Sequence, residues 1–189
     1  AEVQVQARGQ GRARLLRPDL DTRPLADGTF SFGAIVGGRW KFLPNLAPSS
    51  RWSLKSITLG GRELDDYVEV DGAVQLPELV LTFTDHPSEL SGALQDASGR
   101  PAQEYFVIAF SADRAAWTPV SRRIQVTRPA SDGAYSIKGL PAGEYYLSAL
   151  TDVEPNEWLS PAFLEQIVSS SVRVRITDGE RTLQSLRIA

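Results

Sequence analysis

Side chains able to do acid–base or nucleophilic chemistry are few and stand apart. The 189-residue chain holds one histidine, His86, and no cysteine. A Ser-His-Asp arrangement would have to use His86, which sits beside Pro87 in a hinge-like stretch. One histidine without cysteine also excludes the usual zinc sets, so no catalytic residue, metal or cofactor is expected. Asp65-Asp66 and the group Asp152, Glu154 and Glu157 bring carboxylates together. A glycosidase needs two carboxyl groups facing each other across a cleft, and neighbouring loop acids are ordinarily just solvated. Asp152, Glu154, Asn156 and Glu157 also lack the spacing of a calcium loop. Gly9-Gln-Gly11 and Gly37-Gly38 lack the Lys-Ser/Thr pair or the following helix that would make a phosphate cradle. A Lys–Asn isopeptide bond could draw only on Lys41, Lys55 and Lys138 with Asn45 and Asn156, and Lys41 and Lys138 fall on the outward phase of their strands.

The remaining binding chemistry is aromatic. Trp40 and Trp52 follow apolar phases and read as core. Trp117 lies in the irregular stretch Ala112–Pro119, and Trp158 precedes a predicted helix. An exposed indole stacks on the apolar face of a sugar ring. The candidate ligand site is therefore Trp117 and Trp158, with Asp113, Arg114 and Glu157 nearby. The competing expectation is that both rings cover the core beneath long loops. Arg8, Arg12, Arg14 and Arg17 form a basic cluster that reads as a solvated hairpin face rather than an anion site.

Strands must position these residues. Asp132-Gly133 signals a turn, and Tyr135 and Ile137 then alternate with Ser136 and Lys138. Gly139-Leu140-Pro141-Ala142-Gly143 is a second turn, after which Tyr145, Leu147 and Ala149 alternate, with Leu140 tucked beneath. The same pattern stands 105 residues upstream without a gap, at Asp27 to Phe42. Phe30 matches Tyr135, Phe32 matches Ile137, Ile35 matches Leu140, Gly38 matches Gly143, Trp40 matches Tyr145 and Phe42 matches Leu147. Looser matches join Trp52 to Trp158, Asp71-Gly72 to Asp178-Gly179, and Leu81/Phe83 to Leu186/Ile188. A repeat of this length predicts two domains of one fold, residues 1–84 and 85–189.

The pattern D-G-x-aromatic-x-apolar-x-x-Leu-Pro-x-Gly-x-Tyr-x-Leu resembles the carboxypeptidase regulatory-like domain. The second repeat's opening, Leu90-Ser-Gly92 through Asp96 and Gly99 to Pro101, is similar to that family too, as is Trp52 to Asp66. The resemblance implies an all-β chain of two tandem Ig-like, transthyretin-like (prealbumin-like) β-sandwiches. It also implies a secreted, periplasmic or cell-surface bacterial protein, and a non-enzymatic spacer or docking role beside neighbouring domains or envelope proteins. The zinc peptidase that lends the family its name cannot be built from this chain. A carbohydrate-binding module with polysaccharide as partner is the alternative.

In order, residues 3–7 read as a strand, 9–26 as a hairpin plus loop, and 29–35 with 39–43 as the core hairpin. Residues 43–50 read as a loop, and 52–59 as a strand whose phase slips between Leu54 and Ile57, which suggests a bulge. Residues 67–70 and 79–84 are the last two strands of the first repeat. Strands follow near 90–95, 104–111, 122–127, 134–138, 144–151, 172–177 and 183–188. Ser160 as N-cap with Pro161 next predicts the one short helix, near 161–168. Residues 3–7 correspond to Tyr105–Phe110, and nothing ahead of them matches the opening strand. The expectation is a fragment of a longer protein; the alternative is a strand supplied by something else. The short, proline-bearing linker 84–88 suggests a stiff rod.

Charge is balanced in residues 1–84, and the net −3 falls in 85–189, which argues against a nucleic-acid partner. No apolar run is long enough for a membrane-spanning helix, and no signal peptide is visible in this chain.

Overall fold

The computed structural model describes residues 3–16, 19–33, 35–47, 49–64, 67–71 and 77–188. Asp65-Asp66, Arg17, Ala34, Pro48 and the Gly72 half of the Asp71-Gly72 turn lie outside them. The chain is mostly β and divides into two compact units, Ala1–Asp85 and His86–Ala189.

The first unit comprises β1 (Val3–Gln10), α1 (Arg12–Leu16), β2 (Leu20–Thr22), β3 (Gly38–Leu46), β4 (Ser53–Leu59), β5 (Arg62–Glu63), β6 (Val68–Val70) and β7 (Leu79–Thr84). One sheet runs β2-β1-β3-β6 and the other β5-β4-β7. Alternation turns Val5, Ala7, Trp40, Phe42, Val68 and Val70 inward. Small residues face large ones across the ladder, Ala7 opposite Phe42 and Gly9 opposite Trp40. The slip in β4 is a register shift between Leu54 and Ser56.

The second unit comprises β8 (Glu89–Gln95), β9 (Phe106–Ser111), β10 (Ile124–Thr127), β11 (Ala134–Lys138), β12 (Gly143–Leu150), α2 (Pro161–Ile167), β13 (Val172–Ile176), β14 (Arg181–Leu183) and β15 (Leu186–Arg187). One sheet runs β10-β9-β12-β13; the other runs β11-β8-β14, with β15 also on β8. Leu90, Leu94, Tyr135, Ile137, Tyr145 and Leu147 meet between the sheets. β9 is buried on both faces, because α2 and its flanking turns cover Ile108 and Phe110 from outside. That explains its continuous apolar run Phe106-Val-Ile-Ala-Phe110. Ser160 sits at the N-cap of α2 with extended backbone and Pro161 at the first turn, while Leu164 and Ile167 turn inward.

The two hairpins share their turn chemistry. Thr29 N–H donates to Asp27 Oδ1 at 2.9 Å, and Ala134 N–H to Asp132 Oδ1 at 3.0 Å. Leu25 N–H reaches the Thr29 carbonyl at 2.7 Å, and Ala130 N–H the Ala134 carbonyl at 2.8 Å. Gly28 and Gly133 both take positive φ, 85° and 81°.

Four sequence expectations need correction. Residues 9–26 are not simply hairpin and loop, because α1 interrupts them. Its Ala13 is fully buried against Gly9 and Gly38, where a Cβ would come within 3.0 and 2.8 Å of Ala13 atoms. Leu43–Leu46 are not loop but extend β3, paired with Val3–Gln6. Trp52 and Trp158 are not counterparts, since Trp52 leads into β4 and Trp158 lies in a 3-10 turn, Glu157–Leu159. Finally, residues 29–33 alternate like a strand but join no ladder among the described residues. Their counterpart β11 is a strand because β8 lies beside it, Tyr135 opposite Gly92 and Ile137 opposite Leu90. Among the described residues, the first unit has no strand in that position.

Candidate functional site

Several titratable groups are engaged in local structure. Asp113 caps the 3-10 turn Arg114–Ala116 by accepting from Ala115 N–H at 3.0 Å. Arg114 forks onto Glu165 through two bonds of 2.7 Å, which raises the guanidinium and holds the Glu165 carboxyl below its usual range. Glu157 Oε2 accepts from Glu154 N–H at 3.0 Å. Glu89 is held low first by Arg181, at 3.1 Å, and then by the Ser136 hydroxyl at 3.0 Å. Asp96 is held low by Ser98 and Arg100 inside its own turn. His86 is exposed. Among the described residues no three His, Cys, Asp or Glu side chains gather closely enough to hold a metal ion. Lys138, Asn45 and Asn156 are exposed.

The tryptophans are placed as follows. Trp117 is 5% exposed and donates its indole N–H to the Ser111 carbonyl at 2.7 Å. Its ring meets Phe110 edge-on, with centroids 5.7 Å apart, and the Arg114 guanidinium lies 5.4 Å from its centroid. Trp158 is half-buried, tilted against Phe106 at 6.0 Å. Both belong to the apolar layer that caps β9 and β12. Asp113, Arg114 and Glu157 lie on the turns that hold this cap, each already engaged as described. Trp117 thus presents no open ring face for stacking.

Two hollows remain. A shallow one of about 580 Å³ lies over the outer face of β8 and β11, beside Glu89, Arg128 and Arg181. The other is a groove of about 790 Å³ inside the first unit, between residues 27–33 and the Pro77–Leu81 stretch that leads into β7. Phe42 and Ile35 also line it, with Phe30, Phe32, Leu79 and Leu81 along its walls. Its charged lining consists of Asp27 and Glu78, with no Lys or Arg among the described residues. The Thr29 hydroxyl and then the Thr29 backbone N–H hold the Asp27 carboxyl below its usual value, so it is ionised at neutral pH. Phe30 and Phe32 are half-buried there, whereas Tyr135 and Ile137 are each 4% exposed. Sequence reasoning missed this groove. Its signal was the pairing of an apolar alternation at 29–33 with an opening strand that had no counterpart.

No protein-family model matches the chain, and no curated protein does. Solved structures similar to this chain include a streptococcal ancillary pilin, at 12% identity and TM-score 0.40, covering 99% of this chain and 61% of that one. The minor pilin of Streptococcus agalactiae is similar at 11% identity and TM-score 0.38, covering 99% of this chain and 82% of that one. The dioxygenase domain of a dioxygenase carbohydrate-binding protein fusion from Streptomyces sp. SirexAA-E is similar at 13% identity and TM-score 0.30, covering 55% of this chain and 80% of that one. The chain spans less than two thirds of the ancillary pilin's length. At TM-scores under 0.5 these likenesses carry no argument about what the chain does.

Proposed function

We propose that this chain is a non-enzymatic structural and interaction module. It consists of two tandem regulatory-like β-sandwiches, residues 1–84 and 85–189, in a secreted or cell-surface bacterial protein, serving to space or dock neighbouring domains. The observation that carries this reading is the use of the ionisable side chains. Asp113, Glu157, Glu165 and Asp96 each cap a turn or pair with an adjacent arginine, and Glu89, beside the shallow hollow, is already paired with Arg181. The repeated pattern from Asp27 and from Asp132, with the same turn bonds in both copies, supports the tandem assignment. No helix among the described residues is long and apolar enough to cross a membrane.

The test joins location to chemistry. An epitope inserted at the exposed Ser98-Gly99 turn is followed through cell fractionation, and the purified chain is assayed on chromogenic ester, peptide and glycoside substrates. Recovery in the envelope or medium without turnover supports the module. A purely cytosolic pool, or turnover abolished by a single carboxylate substitution, contradicts it.

A further inference from the structure

We infer that the hollow over the outer face of β8 and β11 is a binding site for an acidic sugar, a pyranose bearing a carboxylate as in a uronic-acid glycan. Such a site goes beyond the spacing and docking role. Its floor follows from the strand register. Ala134 stands opposite Ala93 and Ser136 opposite Ser91, so the outward phase of these two strands is short here. The other sheet differs. There the outward phase of β12 and β13 sets Glu144 opposite Arg175 and Tyr146 opposite Arg173, and long side chains cover the face. At about 3.3 Å per residue along a strand and about 4.8 Å between strands, the two short pairs make a flat patch of roughly 7 by 5 Å, near the footprint of one sugar ring. The hollow's volume of about 580 Å³ leaves room for a second ring.

The walls supply matching chemistry. Arg128 lines the hollow with its guanidinium 4.1 Å from the Phe106 ring centroid, a stacking that fixes the plane of the fork and leaves its N–H edges for a ligand. Among the described residues no carboxylate pairs with it. Arg181 is instead held 3.1 Å from Glu89, which also accepts from the Ser136 hydroxyl at 3.0 Å. The lining thus carries two cations against one carboxylate, although residues 85–189 have a net charge of −3. That local surplus fits one ligand carboxylate, bidentate on Arg128. Glu89 keeps acceptor capacity for sugar hydroxyls, and the Ser91 hydroxyl is unengaged among the described residues. Leu183, 76% exposed on β14, offers an apolar contact to the C–H face of a ring.

A peptide fits less well. The floor is a face rather than an edge, because β8 is bonded to β11 on one side and to β14 and β15 on the other. Its main chain therefore has nothing to offer an added strand. The lining residues all belong to the second unit, where β8 is in place, so the hollow is not the seat of an absent strand.

The probes are digalacturonic acid and the neutral disaccharide galactobiose, titrated into the full chain by calorimetry with amide shifts followed by NMR. No tryptophan lines the hollow, so fluorescence is not the readout. Expected is saturable one-to-one binding of the acid with a Kd below about 5 mM, and none of the neutral sugar. Shifts should be confined to residues 89–93, 128–136 and 181–185. Arg128→Gln should weaken binding at least about tenfold. Ala134→Tyr fills the floor from an exposed position and should abolish binding, which tests the site even if Arg128→Gln disturbs the stack on Phe106. Arg175→Gln, on the other sheet, should leave binding unchanged. Absence of saturable binding at about 20 mM acid overturns the proposal. So do equal affinity for the neutral sugar, shifts elsewhere, or an equal loss in Arg175→Gln. Inorganic phosphate or triglutamate binding as tightly as the acidic sugar would assign the hollow to anions at large or to a peptide, and would contradict a sugar site.

Discussion

Trp40 and Tyr145, 105 residues apart, make the same bond. The Trp40 indole N–H donates to the carbonyl of Val36 at 2.8 Å, and the Tyr145 hydroxyl donates to the carbonyl of Pro141 at 2.7 Å, each reaching four residues back. Both rings are fully buried. Each also occupies the same ladder position, Trp40 opposite Gly9 and Val68, Tyr145 opposite Ser111 and Val174. A buried aromatic whose polar tip satisfies the turn carbonyl ahead of its own strand fixes the entry angle of that strand.

Removing either donor should therefore weaken its own unit. Tyr145→Phe leaves the buried Pro141 carbonyl, and Trp40→Phe the part-buried Val36 carbonyl, without that donor. Tyr145→Phe keeps the ring and is expected to cost about 1–2 kcal/mol in urea unfolding. Trp40→Phe also loses volume and should cost more, about 2–4 kcal/mol.

Gly92→Ala should be among the most damaging small changes, because the new Cβ would meet a backbone oxygen that cannot step aside. A loss of about 3 kcal/mol is expected by chemical denaturation. Gly33→Ala is the control. Its Cβ would meet nothing within 4 Å, and that backbone is not left-handed, so stability should hold or rise by about 0.5 kcal/mol.

The tryptophan cap gives a graded prediction. Trp117→Ala opens the layer over β9 and should cost about 3–5 kcal/mol, while the half-buried Trp158 should cost less, about 1–2 kcal/mol. Soluble polysaccharides should leave the intrinsic fluorescence of the wild type unchanged. Saturable quenching that Trp158→Ala abolishes would instead restore a carbohydrate site.

Acid should destabilise the second unit. Glu89 and Glu165 have folded-state pKa values below their ordinary 4.5, through Arg181 and Arg114 respectively. A depressed carboxylate contributes stability above its unfolded pKa and loses it as pH falls through the folded one. The melting temperature should therefore drop progressively below pH 4.5, and Glu89→Gln with Glu165→Gln should flatten that slope by lowering the melting temperature modestly at pH 7 while leaving it nearly unchanged in acid. These pairs are largely solvent-facing, so the effect should be modest and shrink further in salt.

Most strands were legible because alternation and Pro/Gly turns act locally. Asp132-Gly133 and Gly139 to Gly143 bracket β11, and Ser160-Pro161 opens α2, much as the spacing suggested. What escaped depended on partners distant in the chain. Residues 29–33 carry a strand's alternation, but a strand needs a neighbour to bond, and the alternation by itself does not report whether one lies beside it. α1 escaped because only the close approach of Ala13 to Gly9 and Gly38 favours so short a helix. The burial of Trp117 was not legible because an aromatic in an irregular stretch looks alike whether it faces solvent or folds back onto Phe110.

Native-state hydrogen exchange on this chain tests the central claim most directly: the two units follow one pattern, and among the described residues only the second has a strand in the β8 position. The account predicts that amides of β11, residues 134–138, exchange at least about a hundredfold more slowly than those of residues 29–33. Equal, strong protection of both segments would mean that 29–33 is already paired, and it would contradict the account.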